Sequence, residues 1–391
     1  MRFLSPFPSS TELRPTAYSL LDIGRDTVKA AVVLLKPDQP VPEVVGYGLA
    51  DAGGHDITGG RLEAGAVTRP VNDALTQAED STESYLGHKV VPDDVILALP
   101  GRATVGRLFT VKRTRPKPQT PIKARELASL RLRGAKMVRQ GLTHSVSEPG
   151  QWQPLAVTDA GLRLDNHLIL DGIGLAGQEL ALSVFGVAGQ AGAMRALEVV
   201  ANRLDLAIAN IVAAPQALAA TIPATESIIL DIGDSGTNVC LLKDDALIGA
   251  AWVPFGGYFF TQALARSLDV DHAQARGLKH ALAGDDLDRH EQGRLNALLD
   301  EARRRWYEAV IDLLIDLAIG QPLPRRIYMT GGGSLLPGLD KLLRTHPAPF
   351  DAAPELFQLG VQSSFPLNVR PDGLDFNLFS LTLSLTVGLP D

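Results

Sequence analysis

The chain has 391 residues, enough for two or three domains with sizeable cores, and its 45% hydrophobic and 21% charged content excludes disorder and fibrous repeats. A net charge of −7 argues against a protein whose whole surface grips nucleic acid, so no nucleic-acid partner is expected. The single cysteine, Cys240, excludes an internal disulfide framework and a Cys-cluster zinc site; it suits a reducing cytosol and reads as core packing.

The first sixteen residues interrupt their apolar run at Pro6 and Pro8, so they form no signal-peptide core and read as a short flexible tail. Tyr18 to Leu35 holds two apolar runs around Arg25-Asp26-Thr27, the pattern of a buried hairpin, and Val44 to Leu49 is a third strand. Val71 to Leu86 is spaced as a helix. Asp94 to Leu99 is a strand stopped by Pro100-Gly101, with Arg107 to Arg113 as its partner, and the prolines of Thr114 to Pro121 make a loop. Lys123 to Gln140 sets Leu127, Leu130, Gly134, Met137 and Val138 near one face of a surface helix. Leu155 to Thr158, Arg163 to Leu170 and Leu180 to Val187 read as strands, and Ala191 to Leu204 and Pro215 to Thr221 as helices. A long helix runs from about Leu295 to Ala318, with Arg303, Arg304 and Arg305 on a solvated face. Leu378 to Leu389 is too short for a membrane span and reads as a packed element of the second lobe.

Ser227 to Leu242 (SIILDIGDSGTNVCLL) repeats the design of YSLLDIGRDTVKAAVV: strand, Asp-Ile-Gly, polar turn, strand. Two such hairpins about 209 positions apart indicate two related lobes. A strand that ends in Asp and turns on Gly sets a carboxylate beside backbone that phosphate can approach, and the carboxylate can hold a Mg2+-bound water. One such tripeptide is weak; two in matching contexts are not. The third piece is RIYMTGGGSLLPGL, Arg326 to Leu339, where three glycines after a strand offer bare backbone to a flat ring or a phosphate. The histidines, among them His144, His167 and His272, show no ligand spacing and read as surface residues; Trp252 reads as structural.

With these residues the chain resembles the actin-like ATPase superfamily, whose order is first phosphate loop, connecting helix, second phosphate loop and adenosine loop. Here these are LLDIGRDTVKAAV, NIVAAPQALAA, IILDIGDSGTNVCLL and IYMTGGGSLLPGL. Within the superfamily it is most similar to the FtsA/PilM branch, also through VPEVVGYGLADAG, LDGIGLAGQELALSVFGV and VPFGGYFFTQALARSL, over about Tyr18 to Leu343. The resemblance implies an α/β, actin-like two-lobed ATPase fold with a small α/β subdomain inserted in the first lobe. Its expected parts are 17–93 (first lobe), 94–177 (insert), 178–223 (first lobe again) and 224–391 (second lobe).

The resemblance places Asp22 and Gly24 in the first phosphate loop; Asp231, Gly233, Ser235, Gly236 and Thr237 in the second; and Gly331, Gly332, Gly333 and Ser334 in the adenosine loop. It implies ATP as ligand, with Asp22 and Asp231 holding Mg2+ through water, and it sets Lys279 near the nucleoside. The departures concern catalysis. The family's Glu-Pro at the connecting helix is Ala214-Pro215 here, leaving Gln216 as the nearby polar substitute; Asp234 stands for a glycine, Asn238 for an aspartate, and Arg276 for an acidic residue. Phosphoryl transfer depends on positioning and electrostatics, so ATP binding with weak hydrolysis is expected.

The implied role is a cytoplasmic, polymerising adaptor of bacterial cell division, with a tubulin-like division protein and membrane-protein tails as partners and the inner face of the membrane reached through them. A PilM-like scaffold for pilus or secretion machinery is the alternative, and a small-molecule kinase a more distant one, since no substrate-side catalytic Asp accompanies the loops. Between Arg102 and Arg139 twelve basic residues face one acid, Glu126. This asymmetry suits either head-to-tail contact with the acidic lobe of a second copy or contact with anionic lipid.

Overall fold

The computed structural model describes residues 15–37, 39, 41–59, 61–144, 151–222, 225–345, 349–359 and 367–390. Nearly all of the expected N-terminal tail lies outside these residues, as does the side chain of His144. The chain opens with β1 (Thr16–Ile23), β2 (Thr27–Leu35) and β3 (Glu43–Asp51), then α1 (Arg61–Leu86) and β4 (Asp94–Leu99). There follow β5 (Thr104–Thr114), α2 (Ala124–His144), β6 (Trp152–Leu164), β7 (His167–Ile169) and β8 (Glu179–Gln190). Next come α3 (Ala191–Arg203), β9 (Ala207–Ala213) and α4 (Ala214–Thr221). The second half comprises β10 (Ser227–Ile232), β11 (Thr237–Lys243), β12 (Ala246–Val253), α5 (Gly257–Leu268), α6 (His272–Ala283), α7 (Arg289–Ala318) and β13 (Arg326–Thr330). It ends with α8 (Leu339–Thr345), β14 (Glu355–Gln358), β15 (Asn368–Val369) and α9 (Ser380–Ser384).

Two sheets organise these elements. The first runs β15-β3-β2-β1-β4-β9 and the second β14-β13-β10-β11-β12-β5-β8-β6-β7. In each, an antiparallel meander (β1-β2-β3; β10-β11-β12) is extended by parallel strands on the side of its first member. Side chains alternate across these strands: Leu20 and Ile229 join the core between the lobes, whereas Leu21 and Leu230 join the outer cores beneath α1 and α3 or beneath the helices of the second half. By the same parity Asp22 and Asp231, two residues beyond Leu20 and Ile229, project toward the interlobe side.

Packing extends α1 well ahead of the expected Val71. Buried Ala64 and Val67 continue the stripe of Val71, Ala74 and Ala78, and the helix passes through Pro70. Its close seat on β3 depends on Gly46 and Gly48, where an added Cβ would lie 2.1 and 2.0 Å from the carbonyl oxygens of Ala78 and Ala74.

Three expectations are corrected by long-range pairing. β4 does not pair with β5 but lies between β1 and β9, whereas β8 pairs along its length with β5 and β6, so β5, β8 and β6 form one antiparallel ladder. The strands expected at 155–158 and 163–170 are one strand, β6, and a short β7. The turn falls at Asp165-Asn166, whose φ of 49° and 68° suits residues that tolerate the left-handed region. The C-terminal segment is not packed on the second lobe alone: β15 pairs with β3, Arg370 bonds Glu43, and Leu383 and Leu385 join Leu20, Ile96 and Leu218 in the interlobe core.

Among the described residues no helix is long and apolar enough to cross a membrane. Cys240 is core packing, and burial pushes its thiol up from the ordinary value. Arg303 departs from the solvated face: it is 4% exposed and bonds Asn296 and Asp300, while Arg304 and Arg305 pair with Glu301 outside.

Candidate functional site

A cleft of about 620 Å3 opens between the sheets, walled by both Asp-Ile-Gly turns and by the triple-glycine turn after β13. The hairpin register decides what meets each carboxylate. Asp22 lies opposite Lys29, whose ammonium donates to Asp22 Oδ2 at 3.1 Å; at the equivalent place Asp231 lies opposite Asn238, whose amide donates to Asp231 Oδ2 at 2.8 Å. Burial holds the Asp231 carboxyl above the ordinary aspartate range, opposed by the Asn238 bond and reinforced by the negative charge of Asp22. Asn238 Oδ1 is buried without a hydrogen-bond partner among the described residues.

Each glycine closes its own turn: Gly24 N donates to Thr27 O at 3.1 Å and Gly233 N to Gly236 O at 2.9 Å. The turn tips, Arg25-Asp26 and Asp234-Ser235, lie between the closing residues and line the cleft. Gly236 packs under Trp252, a wall residue of the cleft, with an added Cβ 2.5 Å from the indole.

The tips are bridged by charge. Arg25 Nη1 meets Asp234 Oδ2 at 3.2 Å, and its guanidinium lies 3.6 Å from the centre of the Tyr258 ring. From α6, Arg276 Nε meets Asp26 Oδ1 at 2.5 Å and Arg276 Nη1 meets Asp51 Oδ2 at 2.9 Å. Lys279 donates to Gly257 O at 3.2 Å and lies 3.8 Å from Asp234 Oδ1. Burial outweighs pairing for both, raising the Asp234 carboxyl and lowering the Lys279 ammonium. The repulsive Asp234 is thus countered by two cations.

Gly331 has φ 80°, and an added Cβ would come 2.6 Å from Ile232 O and 2.7 Å from Asp231 Oδ1; at Gly332 the nearest atom is Leu378 Cδ1, at 3.7 Å. The loop is therefore pressed onto β10 at one glycine and open to the cleft at the next. Ser334 Oγ donates to Gly331 O at 2.7 Å, and Asn377 Nδ2 donates to that same carbonyl at 3.1 Å.

Asp22, Gly24, Asp231, Gly233, Ser235, Gly236, Lys279, Gly331, Gly332 and Gly333 are therefore brought together around one cleft. Three expected site residues are not on its walls. Thr237 is fully buried, donates to Phe255 O at 2.7 Å and accepts from Trp306 Nε1 at 2.9 Å. Ser334 is turned into its own loop. Gln216 is half-buried on α4, and Ala214 is the member of that turn that lines the cleft. Reading by motif missed Lys29, although its place opposite Asp22 in a tight hairpin was a usable signal. It also missed Arg25, Arg102 and His280 as wall residues. Among the described residues no cluster of three His, Cys, Asp or Glu suits a directly bound metal.

Known proteins resemble this chain in sequence and in fold. The profile of "Cell division protein FtsA" matches residues 228–371. A "Cell division protein FtsA" of Rhizobium meliloti (strain 1021) is 26% identical over 386 residues, covering 87% of this chain and 81% of that protein. Among solved structures, a PilM-PilN type IV pilus biogenesis complex superposes with a TM-score of 0.70 at 18% identity, covering 96% of this chain and 99% of the other. The ethanolamine utilization protein EutJ of Carboxydothermus hydrogenoformans superposes at 0.53 and 14% identity, covering 96% and 91%.

Proposed function

We infer that this chain, an FtsA-like actin-family protein of the FtsA/PilM branch, binds ATP with Mg2+ in the interlobe cleft and works as a self-associating adaptor with weak hydrolysis. The observation that carries this reading is the meeting of Asp22 and Asp231, from equivalent turns of two lobes, beside a triple-glycine loop whose middle residue leaves space for a ring. The donor set fits the ligand: tip amides and Lys29 for phosphates, Lys279 and the Gly332 backbone for the nucleoside, and two carboxylates to hold Mg2+ through water, where the cation offsets phosphate charge. Hydrolysis is weak because Ala214 brings no carboxylate to the wall where an attacking water would be oriented. The test is calorimetry of ATP with Mg2+ on the wild type and on Gly332→Val, whose branched side chain enters the cleft; equal affinities would overturn the assignment.

The adaptor works in the cytoplasm in cell division, reaching the membrane's inner face through partners such as a tubulin-like division protein or membrane-protein tails. Self-association joins the basic insert of one copy to the acidic remainder of the next. Sedimentation of Arg133→Glu/Lys136→Glu across a salt series tests it, with loss of the larger species expected. A PilM-like scaffold is the second reading, favoured by the near-complete overlap with the PilM-PilN structure. Depletion in the source cells separates the two: a division block supports the first and loss of pili the second.

A further inference from the structure

We propose that the end of the insert beside the first turn of α2 is a contact surface for an anionic lipid bilayer, independent of the nucleotide cleft. Two loops form this end as one unit. Ile122 N donates to Leu175 O at 2.8 Å and Gly174 N to Ile122 O at 3.0 Å. Arg115, 3% exposed, clamps both loops: Nη1 donates to Gly177 O at 2.9 Å, Nη2 to Thr120 O at 2.7 Å, and Nε to Glu126 at 3.3 Å.

From this rigid unit large aliphatic side chains point outward. Leu170 is fully exposed, Ile173 is 54% exposed and Leu175 42%. On the facing loop and the start of α2 stand Lys117, Lys123 and Arg125, exposed and without an ion-pair partner among the described residues. Arg125 and Leu132 then follow on one stripe of α2, with Leu132 73% exposed. The acids of this end have partners: Glu126 pairs with Arg115, Asp171 accepts from the N–H of Ile173 at 2.9 Å, and Asp159 and Asp244, which line a pocket with Leu170, pair with Arg131 and Arg163.

A cluster of exposed aliphatic groups beside unpaired cations matches a bilayer interface. The aliphatic groups reach the hydrocarbon boundary while the long Lys and Arg stems keep their charges at the headgroups. The chain as a whole carries −7, so an anionic surface attracts this end and repels the rest, which fixes the orientation of docking. A protein partner would need a pocket of matching shape and an acidic rim; the bilayer needs neither.

The experiment is flotation of the full chain with vesicles of phosphatidylglycerol and phosphatidylcholine, against phosphatidylcholine alone, over a salt series. Binding to the anionic vesicles that weakens with salt is expected. Lys117→Glu/Lys123→Glu/Arg125→Glu should lower it by about a hundredfold or more. Leu170→Asp/Ile173→Asp should abolish it, and both variants should melt as the wild type does because their sites are exposed. Unchanged binding by both variants, or no wild-type binding to anionic vesicles, overturns the proposal. So does a result in which the substitutions leave flotation intact but shift the sedimentation of the chain alone, which would assign the tip to a second copy.

Discussion

Arg25 and Asp234 occupy the same place in the two halves of the chain, 209 positions apart, and are bonded to each other at 3.2 Å. An internal repeat here does more than supply two phosphate loops: its equivalent tip residues have taken opposite charges and close the cleft between them. Arg276, reaching Asp26 and Asp51, makes a second bridge beside the first.

Reversing one charge should therefore open the lobes. Arg25→Glu sets two carboxylates together and removes the stacking on Tyr258, a loss of about 1–3 kcal/mol of closure for a pair between exposed and buried. Small-angle scattering should show a larger radius of gyration. The swapped pair Arg25→Asp/Asp234→Arg should restore compactness; if it does not, the ion pair is not what holds the lobes.

The three glycines of the loop should differ in kind. Gly331→Ala places a Cβ against Ile232 O in a left-handed backbone and should cost about 1–3 kcal/mol, read as a lower melting temperature. Gly332→Val should melt within a degree or two of the wild type, since only Leu378 lies near. Equal melting of the two variants would contradict the loop geometry.

Ala214→Glu should raise ATP turnover by about 10²-fold if the cleft is otherwise competent, the scale of a positioned acid or base. Phosphate release by wild type, measured at saturating ATP, should lie far below the ordinary kinase range of about 1–100 per second. A wild-type rate inside that range would refute the role assigned to Ala214.

Glu43 ties the C-terminal segment to the first sheet. Burial would raise its carboxyl, but Lys36 and Arg370 together hold it below the ordinary glutamate value. Its contribution to stability is complete above about pH 4.3 and is lost as pH falls toward its lower folded value. Acid unfolding of Glu43→Gln should therefore start from lower stability at neutral pH and fall less steeply between about pH 5 and pH 3. Parallel curves would remove Glu43 from the account.

The features legible in the sequence were those encoded locally. Strand, Asp, Gly and turn lie within a few residues, so the local pattern alone suffices to place Asp22, Asp231 and the triple glycine. Lys29 was within reach through the register of the same hairpin. The hydroxyls of Thr237 and Ser334 could not be sorted by motif, because a loop hydroxyl serves a ligand or its own fold and only the arrival of Trp306 and Asn377 decides. The partner of β5 escaped for a related reason: β8 belongs with β5 through pairs more than sixty residues apart, and apolar alternation says which face is buried, not which strand is the neighbour.

The return of residues 368–385 to the first sheet orders the events of biosynthesis. β3 leaves the ribosome more than three hundred residues before Asn368 and Val369, the strand that pairs with its outer edge. The triple-glycine turn likewise waits for Asn377 to reach the Gly331 carbonyl. The first sheet and the cleft, whose walls include Leu378, Ser380 and Leu381, are thus completed only after residues 368–385 have emerged.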